Sequence, residues 1–335
     1  MIADDDRAAA RLDFARRASG RDDCRLQRAG SDAGTRSYWR IAGATPGRVV
    51  MDAPPATDDP APWLAMRDLL ESGGVRVPAV LERDVEAGFL LLEDLGSETF
   101  LQVLDAGNAD ELFDAAITQL LRLQAIVPPP ELPLYDEVLL MRELALFDEW
   151  FLGRHLGLKL DCDDLDRLEL GYRCLINAAL AQPQVLVHRD FMLRNLMPVN
   201  GGPAVLDFQD AVRGPVAYDP LCLFKDAFVS WPEARVDGWL ARYHARALEA
   251  GIPLPPLARF RRDADLIGVH RHLKVLGIFA RLRHRDGKPG YLDDAPRFVA
   301  YLDAVLPRHP ELASLHSLMR DAIKPALGRH EATQA

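Results

Sequence analysis

The pattern of apolar and polar residues gives the two ends of the chain different textures. In residues 1–95, short runs rich in Val, Leu and Tyr alternate with Gly, Pro and Asp, and they predict strands of a small antiparallel sheet at 37–41, 49–51, 79–81 and 89–92. One helix is predicted over 62–71, between a proline near its start and Gly73-Gly74 after its end.

After Leu95 the apolar residues recur at helical spacing. Helices are predicted over 109–126, 136–156, 163–180, 257–283 and 296–306. Two strand-sized runs, 185–187 and 204–206, flank a polar loop, and we expect them to pair as a short ribbon that anchors it. A sheet-rich first third followed by a mainly helical remainder predicts an α+β fold, with an N-lobe of residues 1–95 and a C-lobe of residues 96–335.

Composition narrows the class of protein. The chain has 335 residues, 49% hydrophobic and 27% charged, with a net charge of −10 and no run of Lys or Arg, so nucleic acid is not an expected partner. No apolar run reaches transmembrane length, and the acidic N-terminus lacks the apolar core of a signal peptide. The four cysteines are widely spaced and are expected to be reduced, buried and non-ligating. Together these features predict a cytoplasmic location and no membrane partner.

The chemistry is concentrated in residues 185–210. His188-Arg189-Asp190 is followed by Asn195 five residues after the aspartate and then by Asp207-Phe208. Phosphoryl transfer needs a carboxylate that accepts the proton of the acceptor hydroxyl, and Asp190 suits that role. It also needs oxygen ligands that hold Mg²⁺ against the phosphates, and Asn195 and Asp207 suit that role. The same residue types also occur as turn formers and helix caps, but their fixed spacing between strand-like runs favours a phosphotransferase.

These segments resemble the aminoglycoside phosphotransferase family, also described as kinase-like phosphotransferases. The resemblance is carried by HRDFMLRN, LDFQD and GPVAYDP and covers nearly the whole chain. It implies a protein-kinase-like two-lobed fold, with a small antiparallel-sheet N-lobe and a larger, mainly helical C-lobe. Segments 31–40, 49–55, 88–96, 219–228 and 271–288 are most similar to the anomeric amino-sugar kinases of peptidoglycan recycling. That similarity implies ATP-dependent phosphorylation of N-acetylmuramate and N-acetylglucosamine at C1, with Mg²⁺ as cofactor.

The resemblance also implies where the nucleotide binds. A glycine hairpin at 30–40 would cover the phosphates, and the backbone of Glu93 and Leu95 would meet adenine. Kinases of this fold usually carry a lysine on the third strand, but Met51 stands there and the first lysine is Lys159. Arg36 is therefore the predicted phosphate contact, although a solvated Arg36 and a nucleotide-binding pseudokinase remain open. The hairpin residues predicted to bind nucleotide are Ser31, Gly34, Thr35 and Arg36.

The acceptor side is predicted from charge. Arg271, Lys274, Arg281 and Arg285 recur at helical spacing in an acidic protein, which favours a neutral or anionic acceptor over a polycationic aminoglycoside. A solvated helix face, or a kinase of an amino alcohol, aminoglycoside or other small hydroxyl compound, remains open. The predicted substrate-binding residues are Asp226, Arg271 and Lys274, and the predicted structural supports of the catalytic loop are His188 and Asp219.

Overall fold

The computed structural model describes residues 4–30 and 36–334. The predicted nucleotide contacts Ser31, Gly34 and Thr35 lie outside these residues. The chain divides into two compact units, Met1–Ile126 with Leu193–Ala211 and Val127–Met192 with Val212–Ala335. The lobe boundary after residue 95 stays a prediction.

The first unit is built around the predicted antiparallel sheet. Its strands lie in the order β1-β2-β3-β5-β4, and β3 takes a central position in which Met51 pairs with Tyr38 on one side and Leu90 on the other. Four of the five strands were predicted, and the three-residue β1 was missed. The strands are β1 Leu26–Arg28, β2 Ser37–Ile41, β3 Arg48–Asp52, β4 Val80–Asp84 and β5 Phe89–Glu93.

A helix that the sequence pattern did not reveal covers one face of this sheet. α1 (Asp4–Ser19) buries Phe14 and Ala15 in a cluster that includes Val50, Phe89 and Leu91. The prediction of a single helix in residues 1–95 was therefore wrong. Its cause is the composition of α1, which is mostly polar and presents too narrow an apolar stripe for a clear periodic signal.

The remaining elements of the first unit are helical apart from one hairpin. They are α2 Pro60–Ser72, α3 Phe100–Val103, α4 Ala109–Ala125, a 3₁₀ turn Leu193–Asn195, β7 Leu196–Met197 and β8 Ala204–Val205. Asp59 caps α2 by accepting a hydrogen bond from the Ala61 N–H at 2.9 Å, and Pro60 occupies the first turn, where a missing N–H costs nothing.

The predicted ribbon between 185–187 and 204–206 was wrong. β6 (Gln184–Val187) pairs instead with β9 (Val212–Pro215) in the second unit, whereas β7 pairs with β8 in the first. The hairpin turn between β7 and β8 contains Gly201 and Gly202 at φ of 88° and 114°, values that glycine adopts without the Cβ clash of other residues. This turn therefore pairs β7 and β8, which are consecutive strands in the chain.

The second unit is mainly helical. Its helices are α5 Glu137–Leu146, α6 Cys162–Leu180, α7 Tyr218–Phe224, α8 Glu233–Glu249, α9 Leu257–His284, α10 Ala295–Val305, α11 Ala313–Leu318 and α12 Lys324–Gln334. Shorter 3₁₀ segments are Pro289–Asp294, Leu306–Arg308 and Pro310–Leu312, and π-helical segments are Phe147–His155 and Met319–Ile323. The predicted helix at 136–156 is thus α5 continued by a π-helix.

α9 packs closely against the junction between α5 and the π-helix. A Cβ atom at Gly277 would lie 2.4 Å from the carbonyl carbon of Leu146, so only glycine fits this approach. Cys24 and Cys222 are buried as expected, but Cys162 is exposed, and all four cysteines are free thiols. Within the described ranges, no helix combines the length and apolar character needed to cross a membrane.

Candidate active site

The predicted catalytic loop begins where β6 ends, in the second unit. The backbone N–H groups of His188 and Arg189 donate to the two carboxylate oxygens of Asp219 at 2.7 and 3.0 Å. Arg189 has a φ of 74°, a left-handed conformation that is costly for a residue with a Cβ. Asp219 belongs to the first turn of α7 and is fully buried, so it holds this strained turn in place.

His188 and Asp190 are joined by a hydrogen bond inside the loop. The Asp190 N–H donates to Nδ1 of His188 at 3.3 Å, and the buried imidazole packs edge-on against the Phe191 ring at 5.7 Å between centroids. Asp190 itself is half-buried. Burial raises the pKa of Asp219 to about 7, although the two N–H donors oppose that change.

The two predicted cations of α9 lie in the electrostatic neighbourhood of Asp190. Arg271 and Lys274 are 1% and 7% exposed. Burial lowers their pKa values, but negative groups that include Asp190 outweigh it and keep both above their ordinary range. Both side chains therefore remain charged, and the structure brings this part of the predicted site together within one unit.

The partners of these two cations differ. The Lys274 ammonium lies 2.8 Å from Oε1 of Glu143 and donates to the Tyr218 hydroxyl at 3.1 Å. The Arg271 guanidinium donates through Nη1 to the Lys225 carbonyl at 3.2 Å, and its buried Nη2 has no hydrogen-bond partner among the described residues. Arg271 thus keeps a donor that a bound acceptor could satisfy.

The rest of the predicted basic stripe does not share this environment. Arg281 is half-buried, whereas Arg285 is exposed and pairs with its neighbour Asp286 at 2.7 Å. The predicted substrate residue Asp226 is fully buried, and its Oδ1 accepts the Phe228 N–H at 2.8 Å. Its charge is among those that raise the pKa of Arg271. The stripe therefore divides into a buried half and a surface half.

Glu143 is a site-forming residue that the sequence analysis missed. It lies on the buried face of α5 with Leu140 and Leu144, and its carboxylate is 5% exposed. A glutamate at helical spacing between two leucines was the available signal, because a carboxylate on an apolar face must find cationic partners. Burial raises its pKa, but the charges around it, those of Lys274 and Arg189 included, outweigh this and lower it to about 2.

The predicted metal ligands lie together in the first unit. Asn195 immediately precedes β7 and Asp207 follows β8, and the Leu206 N–H donates to the Asn195 carbonyl at 2.9 Å. Asp207 is exposed and has a φ of 62°, while the neighbouring Phe208 is buried against Trp63 at 5.2 Å between ring centroids. The hairpin thus presents an amide oxygen and a carboxylate at one end, a donor set that suits Mg²⁺.

The predicted phosphate contact Arg36 already has a carboxylate partner. Its Nη2 donates to one oxygen of Asp58 at 2.9 Å, and its Nε lies 2.8 Å from the other oxygen. Met51 is fully buried on β3. The next residue, Asp52, points to the opposite face of the sheet and pairs with arginines of α1, so it does not occupy the position of the missing lysine.

The predicted adenine contacts Glu93 and Leu95 are half-buried; Glu93 is the last residue of β5, and Leu95 follows it. The Glu93 carboxylate pairs with Arg76 and accepts the Ala79 N–H at 3.2 Å. It borders a cavity of 730 Å³ in the first unit that Leu95 does not line. The other lining residues are Arg76, Phe100, Glu111, Leu112, Ala115, Pro198, Val199, Asn200, Gly202 and Pro203.

The comparison with known protein families identifies the class of enzyme. A family described as the Phosphotransferase enzyme family matches residues 25–261, well over half of the chain. The chain belongs to this family. It is an enzyme that transfers a phosphoryl group to a hydroxyl acceptor, and the kinase-like fold implies ATP as the phosphoryl donor.

Two relatives of this phosphotransferase are similar over most of its length. An N-acetylmuramate/N-acetylglucosamine kinase of Pseudomonas aeruginosa is 54% identical over 292 residues, 87% of this chain and 86% of the relative. A kinase of the same name from Pseudomonas putida is 53% identical over 297 residues, 88% of each chain.

A solved structure supports the fold of this phosphotransferase. An ADP-bound aminoglycoside phosphotransferase matches it with a TM-score of 0.59 and 16% identity, over 88% of this chain and 97% of the other. The predicted kinase-like α+β fold is thereby confirmed. At that identity the likeness concerns the fold alone.

Proposed function

We propose that this phosphotransferase moves the γ-phosphoryl group of ATP to the anomeric hydroxyl of N-acetylmuramate and N-acetylglucosamine. The names of the two Pseudomonas kinases support the acceptor class. The structural observation that carries the proposal is the buried guanidinium of Arg271, which has an unsatisfied Nη2 and lies in the electrostatic neighbourhood of Asp190. A buried donor without a partner is costly, and a carboxylate or hydroxyl of the acceptor would satisfy it.

Asp190 is proposed as the group that orients the acceptor hydroxyl and accepts its proton. A hemiacetal hydroxyl is more acidic than an ordinary alcohol, so a half-buried carboxylate suffices as the proton acceptor. Asn195 and Asp207 would hold Mg²⁺, which would neutralise negative charge on the phosphates. His188 and Asp219 are proposed to hold the catalytic loop, in keeping with their hydrogen bonds to its backbone.

The nucleotide side is proposed from the resemblance and one ion pair. Arg36, which pairs with Asp58, would meet phosphate oxygens in place of a strand lysine. The hairpin residues Ser31, Gly34 and Thr35 would cover the phosphates, and the backbone of Glu93 and Leu95 would meet adenine. The N-lobe of residues 1–95 and the cytoplasmic location remain parts of this proposal.

On the acceptor side, Arg271 is proposed to read the lactyl carboxylate of N-acetylmuramate, with Asp226 orienting the guanidinium. Lys274 is committed to Glu143 and the Tyr218 hydroxyl, so its part in substrate binding would be electrostatic. A polycationic aminoglycoside would be repelled by these buried cations.

The test is ATP consumption by the purified enzyme across N-acetylated hexosamines, amino alcohols and aminoglycosides, followed by phosphorus NMR of the product. The proposal predicts an acid-labile glycosyl phosphate from the two amino sugars. Turnover with amino alcohols alone, or an alkali-stable C6 ester, would replace the proposed acceptor. ATP binding without turnover on any acceptor would indicate a pseudokinase.

A matched pair of variants sharpens the assignment of Arg271. Arg271→Gln should weaken kcat/KM for N-acetylmuramate more than for N-acetylglucosamine, by about 10- to 100-fold, because only N-acetylmuramate presents the anion (roughly 1.5–3 kcal/mol for a charge-assisted contact). Arg285→Gln removes an exposed arginine from the C-cap of the same helix and should leave the ratio unchanged. Equal losses for both sugars in Arg271→Gln would mean that Arg271 is structural.

A further inference from the structure

A buried carboxylate joins several segments of the second unit close to the catalytic loop. Oε1 of Glu143 lies 2.5 Å from Nη2 of Arg189 and 2.8 Å from the Lys274 ammonium. Oε2 accepts the hydroxyl proton of Tyr135, the residue before the N-cap of α5. One side chain on α5 thus connects this helix to the catalytic loop and to α9.

The charges in this cluster do not balance by themselves. Two cations, the half-buried Arg189 and the buried Lys274, share the single carboxylate of Glu143. Burial lowers the pKa of Lys274, whereas the charges of Glu143 and Asp190 raise it. The Lys274 ammonium therefore contacts one carboxylate, on α5, and is attracted by a second one on the catalytic loop.

In the structure, Glu143 and the Tyr218 hydroxyl take two of the three hydrogen-bonding directions of this ammonium. If Glu143 lost its charge, Asp190 would be the carboxylate left to compensate Lys274. A direct ion pair would occupy lone pairs of Asp190 and make it a poorer proton acceptor, because an adjacent cation stabilises the ionised form of a carboxylate.

We infer that Glu143 is a positioning residue that holds the Lys274 ammonium, so that this ammonium does not form an ion pair with Asp190. The inference rests on the proposed role of Asp190 as the proton acceptor. Glu143 also holds the side chain of Arg189, whose left-handed backbone immediately precedes Asp190. In Glu143→Gln the amide oxygen can still accept a hydrogen bond from Arg189, so the charge beside Asp190 is what changes.

The decisive experiment is rescue by a second substitution. Glu143→Gln keeps the shape of the side chain and removes its charge, and it should lower kcat by about 10- to 100-fold, a part of what a general base supplies. KM for ATP should stay near the wild-type value. Glu143→Gln/Lys274→Met also removes the freed ammonium and should recover most of the lost kcat.

Rescue separates this inference from a structural role, because a second loss in a damaged core does not restore chemistry. A folded double variant with kcat as low as that of Glu143→Gln would overturn the inference, and so would a wild-type kcat in Glu143→Gln. If Glu143→Gln does not fold, the double variant is compared with Lys274→Met alone. The inference predicts equal kcat for these two, and a lower value in the double variant would contradict it.

Asp263→Asn provides the matched control. Asp263 is a second buried carboxylate of this unit, 4% exposed on α9, and it pairs with Nε of Arg259 at 2.8 Å. Its replacement should leave kcat per folded molecule unchanged. All kcat ratios are measured with whichever acceptor the wild type turns over. A failure of the amino-sugar proposal can then be distinguished from a failure of the inference about Glu143.

Discussion

The two units of this phosphotransferase each contain a buried carboxylate that pairs with two cations. In the first unit, Asp52 on β3 is 2% exposed and lies 2.7 Å from nitrogens of both Arg7 and Arg11. In the second unit, Glu143 on α5 is 5% exposed and lies 2.5 and 2.8 Å from Arg189 and Lys274. The two clusters have almost the same local chemistry.

The two clusters differ in which elements of the fold carry their cations. Both cations of Asp52 come from α1, and they also stack on aromatic rings, Arg7 at 4.0 Å from the Phe89 centroid and Arg11 at 3.7 Å from that of Trp39. This cluster fastens one helix to one sheet. The cations of Glu143 come from the catalytic loop and from α9, so this cluster controls charge near Asp190. Local geometry alone does not distinguish stabilisation from catalytic positioning.

The largest contrast is expected when each carboxylate is neutralised. Asp52→Asn leaves two partly buried arginines without their counter-charge and should lower the free energy of unfolding by roughly 1.5–3 kcal/mol. Its kcat per folded molecule should stay at the wild-type level. Urea denaturation and steady-state kinetics, run beside Glu143→Gln, measure both quantities. A fully folded Asp52→Asn enzyme that loses kcat as Glu143→Gln does would contradict this difference between the two clusters.

A smaller contrast is expected in the pH dependence of stability. The pKa of Glu143 is lowered from 4.5 to about 2, so the free energy contributed by its ionised form is complete above the unfolded pKa and is lost as the pH falls toward the folded one. The difference in unfolding free energy between wild type and Glu143→Gln should therefore be constant from neutral pH to about pH 5 and shrink below it. Guanidinium melts at several pH values test this, and a difference that grows on acidification would contradict it.

Elements with strong periodicity were predictable from the sequence. β2 was predicted with its observed bounds, Ser37–Ile41, and α9 and α6 were each predicted within one residue of an end. α1 was not, because ion pairs and arginine stacking contribute much of its attachment, and these depend on residues at least 28 positions away. The exchange of strand partners around the catalytic loop also escaped prediction, because short apolar runs carry no information about their partners.

The residues of the candidate site also differ in how well the sequence predicted them. The spacing of Asp190, Asn195 and Asp207 was visible because their chemistry is contained in one short segment. Glu143 carried only the signal of a glutamate among leucines, because its cationic partners lie 46 and 131 positions further along the chain. The burial of Arg271 and the exposure of Arg285 could not be separated either, since Arg271 lies within α9 and Arg285 at its C-cap with similar spacing to their neighbours. Sequence motifs locate reacting groups better than the residues that support them.

Asp190→Asn tests the role of Asp190 as the proton acceptor. ATP turnover with N-acetylglucosamine and calorimetric binding of ATP are measured on the same preparation of the folded variant. We expect kcat to fall by about 10²- to 10⁴-fold, the range of a general base, while ATP affinity stays close to that of the wild type. Wild-type turnover in Asp190→Asn would contradict the assignment of Asp190 as the proton acceptor.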